Sequence, residues 1–260
     1  MGKLTVADIQ QMKRDGQKIV AAICYDYQMA QILDRAGVDI LTVGDSVGRA
    51  MWGQATHHEV TVDQMILVCL AVTRGATRAV VSCDMPFGPG QAGPDQAAEA
   101  AIRLVKEGHA EMVKIDGAAH HLEAVKAIVQ AGIPVWTQFG FSPQSTLDST
   151  FGTSTEEMAE QMREEILRDA KLLEEAGASM LDLTHVLKPE IYAEVAKTAR
   201  IPVLGGSSSA GPEADGRISG FTYRVSSLDP GGRPSRSGAA RVILEAAEAY
   251  VEDVREARPR

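Results

Sequence analysis

Short β-rich runs alternate with helical patterns along most of the chain, and this alternation constrains the fold more than any other feature. The runs are IVAAICYD (19–26), DILTVGD (39–45), RAVVSCD (78–84), EMVKIDG (111–117), PVWTQFG (134–140), SMLDLTH (179–185) and PVLGGSS (202–208). Each ends near a small, acidic or polar residue and gives way to a stretch rich in Ala, Leu, Glu, Lys and Arg. QAAEAAIRLVKEG and EEMAEQMREEILRDAKLLEEAG read as helices, the second closing on Gly177, as expected just past a helix end. ISGFTYRV (218–225), followed by a helical pattern over 236–257, supplies an eighth unit. Repeated βα units imply a parallel sheet, and eight of them in 260 residues predict a closed (β/α)8 TIM barrel. No linker-like shift interrupts the series. The expectation is a single α/β domain over 1–260, with an N-terminal and a C-terminal helix.

Composition narrows the function classes. The net charge is −9 and the sequence pI near 5.2, so phosphate backbones and anionic lipids are repelled and neither nucleic acid nor membrane is an expected partner. No apolar run reaches the roughly 20 residues that span a bilayer. The three cysteines, Cys24, Cys69 and Cys83, make no CxxC pair and predict neither a disulfide framework nor a zinc site. The opening residues lack the apolar core of a signal peptide, so a cytoplasmic protein is expected. There is no GxGxxG and no GxxxxGK[ST], although GPGQAGPD (88–95) and GGSSSAGPEADG (205–216) predict long loops beside the site.

A barrel does its chemistry at the C-terminal ends of its strands, so polar residues there carry the information. They are Asp45 and Ser46 after strand two, Asp84 on strand three, Lys114 and Asp116 on strand four, Gln138 on strand five, and Asp182, Thr184 and His185 on strand six. A single Asp in such a place commonly caps the next helix. Three on successive strands, with a lysine among them, point instead to carboxylates converging on a cation. Hard oxygen donors without a His/Cys cluster select magnesium or manganese over zinc, and Lys114 suits a substrate carboxylate. The histidines at 57, 58, 109, 120 and 121 read as solvated, and Trp52 and Trp136 as packing.

With these residues in place, the chain from IQQMK (9–13) to about Gly216 resembles the ketopantoate hydroxymethyltransferase family of the phosphoenolpyruvate mutase/isocitrate lyase superfamily. CYDY (24–27), AGVDILTVGDSVG (36–48), VTVDQM (60–65), DMPFG (84–88), VKIDG (113–117), GFSPQS (140–145) and IPVLG (201–205) carry the likeness. The resemblance implies a magnesium-dependent barrel enzyme, forming a homo-oligomer, that transfers a hydroxymethyl group from 5,10-methylenetetrahydrofolate to the enolate of a 2-oxo acid. It implies Asp45 and Asp84 as metal ligands, Asp116 as a further acidic residue of the metal site, and Ser46 and Lys114 as substrate-carboxylate contacts. Three positions depart from the family pattern. The general-base glutamate is replaced by Thr184 within LTHVL, the strand-five histidine by Gln138, and the glycine-rich segment of strand seven by GGSSSAG. With the base lost, proton transfer falls to His185, Asp182 or a water on Thr184. The expected activity is aldol-type one-carbon transfer to a 2-oxo acid, the rivals being a carbon–carbon lyase and a silent 2-oxo acid binder.

Overall fold

The computed structural model describes residues 2–141, 144, 156–186, 188–206, 212–220, 222, 239 and 242. The chain divides into two compact units, Met1–Ser219 and Gly220–Arg260. Only 220, 222, 239 and 242 of the second are described, and of the helix expected over 236–257 only 239 and 242, both helical, are among them.

Within the first unit eight strands run β1 (Ile19–Ile23), β2 (Ile40–Val43), β3 (Val80–Asp84), β4 (Met112–Ile115), β5 (Val135–Gly140), β6 (Met180–Thr184), β7 (Val203–Gly206) and β8 (Gly216–Ser219). Each pairs in parallel with the next, and β8 pairs with β1, so the sheet closes into a (β/α)8 barrel. The eighth strand starts two residues before the expected run and stops at Ser219. Packing explains the earlier start. A side chain at Gly216 would place its Cβ 2.2 Å from the Ile19 carbonyl oxygen, so the two backbones approach as closely as a glycine permits.

The helices form where capping and apolar spacing agree. In Val62–Gly75 the Thr61 side chain and Gln64 make a reciprocal capping box, and Met65, Val68, Cys69 and Val72 bury one face. GPGQAGPD is helical rather than a loop: Pro89–Ala92 and Pro94–Lys106 each begin with proline at a first-turn position, separated by Gly93 at φ 126°. The stretch expected as one helix over 156–177 divides at Met162 into Glu156–Gln161 and Arg163–Glu175. Gly177 has φ 95° as the helix-end reading requires, and a Cβ there would lie 2.8 Å from Val129. Among the described residues no helix is long and apolar enough to cross a membrane.

Strand parity sorts the barrel interior into a dry floor and a polar mouth. From β2 onward the even-numbered residues point inward. Ile40, Val80, Met112, Trp136, Met180 and Leu204 form the floor with Ile19 and Ala21, and Ile9 of the helix Val6–Arg14 is wholly buried against them. Two residues further along the same strands come Thr42, Ser82, Lys114, Gln138 and Asp182, all buried. The change from apolar to polar at constant parity places the chemistry.

Candidate active site

The β2–β3 side of the mouth is built around Asp45 and Asp84. The chain turns tightly after β2, with Val47 N–H bonded to the Gly44 carbonyl. Neither carboxylate caps a helix: Val47–Trp52 starts from Ser46 without a side-chain cap bond, and Pro89–Ala92 starts from Gly88. A Cβ on Gly44 would lie 2.7 Å from Ser46 Oγ and 3.7 Å from Asp84 Oδ2, so glycine keeps the space between them open. Ser46 Oγ is 2.8 Å from the Tyr25 hydroxyl, and Thr42 Oγ1 donates to Asp84 Oδ1 at 3.3 Å. Burial, opposed by Lys114 but reinforced by Asp45, Asp116 and Asp182, raises the Asp84 carboxyl to about 7.

The β4–β6 side is an ion-pair ladder. Lys114 Nζ lies 2.9 Å from Asp182 Oδ2, donates to Gln138 Oε1, and sits 5.4 Å from the Trp136 ring centroid. Burial works against its charge, but Asp182, Asp84 and Asp116 together hold the ammonium above its ordinary pKa. Asp116 takes the Gly117 N–H on Oδ1 at 2.9 Å and the Gln144 N–H on Oδ2 at 3.0 Å.

Besides Tyr25, three residues enter the site that sequence reasoning leaves out or reads as solvent-facing. His57 Nδ1 is 3.3 Å from Asp45 Oδ1, where a solvated histidine had been expected. His58 packs edge-on against Phe87 with ring centroids 4.4 Å apart. Gln144 is buried, and its amide nitrogen donates to Asp45 Oδ2 at 2.8 Å and the Met85 carbonyl at 3.2 Å. The family-like segments CYDY and GFSPQS contain Tyr25 and Gln144, and those segments were the available signal. The HH pair at 57–58 offered none, since nothing local distinguishes it from a surface pair.

Thr184 and His185 stand where β6 ends. Thr184 Oγ1 is buried and has no hydrogen-bond partner among the described residues. His185 has φ 55°, a left-handed backbone that breaks strand alternation one residue past the strand. Burial lowers its pKa, Asp182 acts in the opposite sense, and Lys114 and His57 lower it further. His185 therefore lies within electrostatic reach of both sides of the mouth.

Among the described residues, no three His, Cys, Asp or Glu are grouped as a ready-made metal site. Magnesium needs less, because it commonly binds one or two carboxylates and keeps several waters. Asp45 and Asp84 supply that set. They are oxygen donors, enclosed, mutually repulsive, and Asp84 accepts one described hydrogen bond.

The sequence profile of ketopantoate hydroxymethyltransferase matches residues 3–258. The 3-methyl-2-oxobutanoate hydroxymethyltransferase of Salinibacter ruber is 39% identical over 98% of this chain and 96% of its own. The same-named protein of Bacteroides thetaiotaomicron is 38% identical over 97% and 92%. Among solved structures, 2,3-dimethylmalate lyase, a PEP mutase/isocitrate lyase superfamily member, is similar at TM-score 0.65 and 16% identity, covering 96% of this chain and 88% of its own. Phosphonopyruvate hydrolase in complex with oxalate and Mg++ reaches TM-score 0.68 at 13% identity, covering 99% and 92%. At those identities the structures speak for the fold alone. The near end-to-end match and relatives more than one-third identical decide the matter: this chain belongs to the ketopantoate hydroxymethyltransferase family, an enzyme of the carbon–carbon bond-forming kind.

Proposed function

We propose that the protein is a magnesium-dependent hydroxymethyltransferase that adds a one-carbon unit to the enolate of a 2-oxo acid, with 5,10-methylenetetrahydrofolate as donor. The observation that carries this reading is the enclosed Asp45–Asp84 pair at the barrel mouth, in a chain whose whole length matches the family. Asp45 and Asp84 would hold the magnesium there, and the ion would supply electrophilic stabilisation of negative charge on the keto oxygen.

The chain's own residues do the rest. The Ser46 and Tyr25 hydroxyls, 2.8 Å apart, form a hydrogen-bonded pair beside the carboxylates for one end of the acid. Lys114 stays protonated and places a positive field over the mouth, while Asp182 and Gln138 fix its ammonium. Its charge is already shared with Asp182, so its attraction for a substrate carboxylate is through the field as well as by contact. Thr184 brings a hydroxyl with no hydrogen-bond partner among the described residues, able to hold a water. His185, held neutral by burial, accepts the proton from the carbon next to the carbonyl. The buried, unpaired thiols suit a reducing cytoplasm, and membership of the family supports reading the protein as a homo-oligomer.

A carbon–carbon lyase is the second reading, favoured by one observation: Thr184 stands where the family carries its glutamate base. The deciding experiment incubates the protein with magnesium and a panel of 2-oxo acids, with and without methylenetetrahydrofolate or formaldehyde. Donor-dependent formation of a hydroxymethylated acid supports transfer. Donor-independent cleavage supports the lyase.

A further inference from the structure

Gln144 is bound at every polar atom. Its amide nitrogen donates to Asp45 Oδ2 at 2.8 Å and the Met85 carbonyl at 3.2 Å. Its backbone N–H donates to Asp116 Oδ2 at 3.0 Å, and its Oε1 accepts from Gln91 Nε2 at 3.5 Å. Its carbonyl oxygen lies 3.5 Å from His58 Nε2. The orientation of the amide follows from chemistry, since both neighbours of its nitrogen are acceptors. One side chain thus brings the positive end of its dipole to a carboxylate oxygen and a carbonyl oxygen, the hard donors a divalent cation would use. The other oxygen of Asp45 faces His57 Nδ1 at 3.3 Å, so each oxygen of this carboxylate already has one partner.

We infer that the Gln144 carboxamide competes with the divalent cation for Asp45. The amide nitrogen and the cation are alternative occupants of the same oxygens, and the cation binds only as Gln144 gives up Asp45 Oδ2. The inference rests on the magnesium reading above. By linkage, the hydrogen bonds that Gln144 loses are subtracted from the cation's binding free energy and added to the stability of the metal-free protein. Gln144 is therefore a positioning residue that sets the metal affinity of the site and keeps its carboxylates satisfied in the metal-free protein.

The test is a magnesium titration by calorimetry on the wild type, Gln144→Ala and Gln144→Asn, with thermal unfolding in EDTA measured in parallel. Gln144→Ala should bind magnesium about tenfold more tightly, the scale of one hydrogen bond to a charged group, and should unfold at a lower temperature in EDTA. Gln144→Asn, whose donors are withdrawn by one methylene, should fall between the two and provides the answer if the alanine variant folds poorly. Equal or weaker magnesium affinity in both variants overturns the competition while leaving the magnesium reading intact. Asp84→Asn, with Gln144 untouched, tests that reading separately. Absence of magnesium binding in every variant and the wild type overturns both.

Discussion

Lys114 Nζ and Asp182 Oδ2 are 2.9 Å apart although their strands, β4 and β6, are separated by the whole of β5. The lysine crosses the interior above the Trp136 ring, and the pair is nearly closed to solvent, with side-chain exposures of 9% and 4%. Buried pairs are sensitive to one-sided removal, because the surviving charge keeps its desolvation cost and loses its partner. Lys114→Met should therefore lower unfolding stability by about 3–5 kcal/mol. It should also raise KM for an acid substrate. Adding Asp182→Leu should restore much of the stability and none of the affinity, which denaturant melts and steady-state kinetics on the single and double variants would check.

Asp84→Asn should abolish magnesium binding and metal-dependent turnover while leaving the barrel folded. The substitution keeps the Thr42 contact in reach and removes a charge that burial penalises. Circular dichroism with isothermal titration decides it: an unchanged magnesium affinity would remove Asp84 from the metal site.

The same carboxylate gives the metal-free protein a pH dependence of definite sign. Its folded value, about 7, stands above the ordinary 3.8, so between those limits the folded chain holds a proton that the unfolded chain has released. Stability then falls as pH rises through that window, by up to about 1.4 kcal/mol per pH unit for one proton. His185 contributes in the opposite sense below about 6.5, its stabilisation being present above that pH and lost as pH falls. Subtracting the Asp84→Asn melting profile from that of the wild type, both in EDTA, isolates the carboxylate. Saturating magnesium should flatten the difference.

His185→Gln should reduce turnover roughly 100-fold or more, the usual scale for general acid–base catalysis. Because the residue lies past the strand end, its melting temperature should stay close to that of the wild type. Near-normal turnover would pass the proton to Asp182 or to a water on Thr184, or leave a reaction that needs no base.

Away from the mouth, Asp34 accepts from the backbone N–H groups of Thr77, Arg78 and Ala79 at 3.1, 3.0 and 2.7 Å, and from the Thr77 hydroxyl at 2.6 Å. It ties the helix Tyr27–Arg35 to the start of β3. Asp34→Ala should cost about 3 kcal/mol or more by stranding those donors. The Michaelis constants of whatever remains folded should be unchanged.

The barrel was legible because its signal is periodic: seven strand positions follow from short runs punctuated by polar residues. The eighth was displaced because Gly216 and Arg217 read as a loop, and their pairing with Ile19 and Val20 on one side and Leu204 and Gly205 on the other makes them a strand. Within the site, the strand-end reading picks out Lys114, Gln138 and Asp182, and in the folded barrel the lysine bonds to both of the others. That reading cannot show that a long lysine reaches across β5 to Asp182. His57 and Gln144 come from connecting segments, where residue spacing carries no direction, and only the folded backbone brings them to Asp45. The short helix Pro89–Ala92 and the proline-led start of Pro94–Lys106 were hidden by their glycines, which mark helix boundaries as readily as loops, whereas the body of the second helix was legible in QAAEAAIRLVKEG.

The floor formed by Ile9, Trp136 and their neighbours makes the barrel a cup rather than a tube. A closed floor beneath the polar mouth leaves the reactive groups open from one side only. If the proposed transfer holds, a small acid at Asp84 and Lys114 would lie beneath the bulkier one-carbon donor, entering before it and leaving after it. Initial-rate patterns with both substrates should accordingly be sequential and ordered, with the 2-oxo acid first, and dead-end analogues of the acid should compete with it alone.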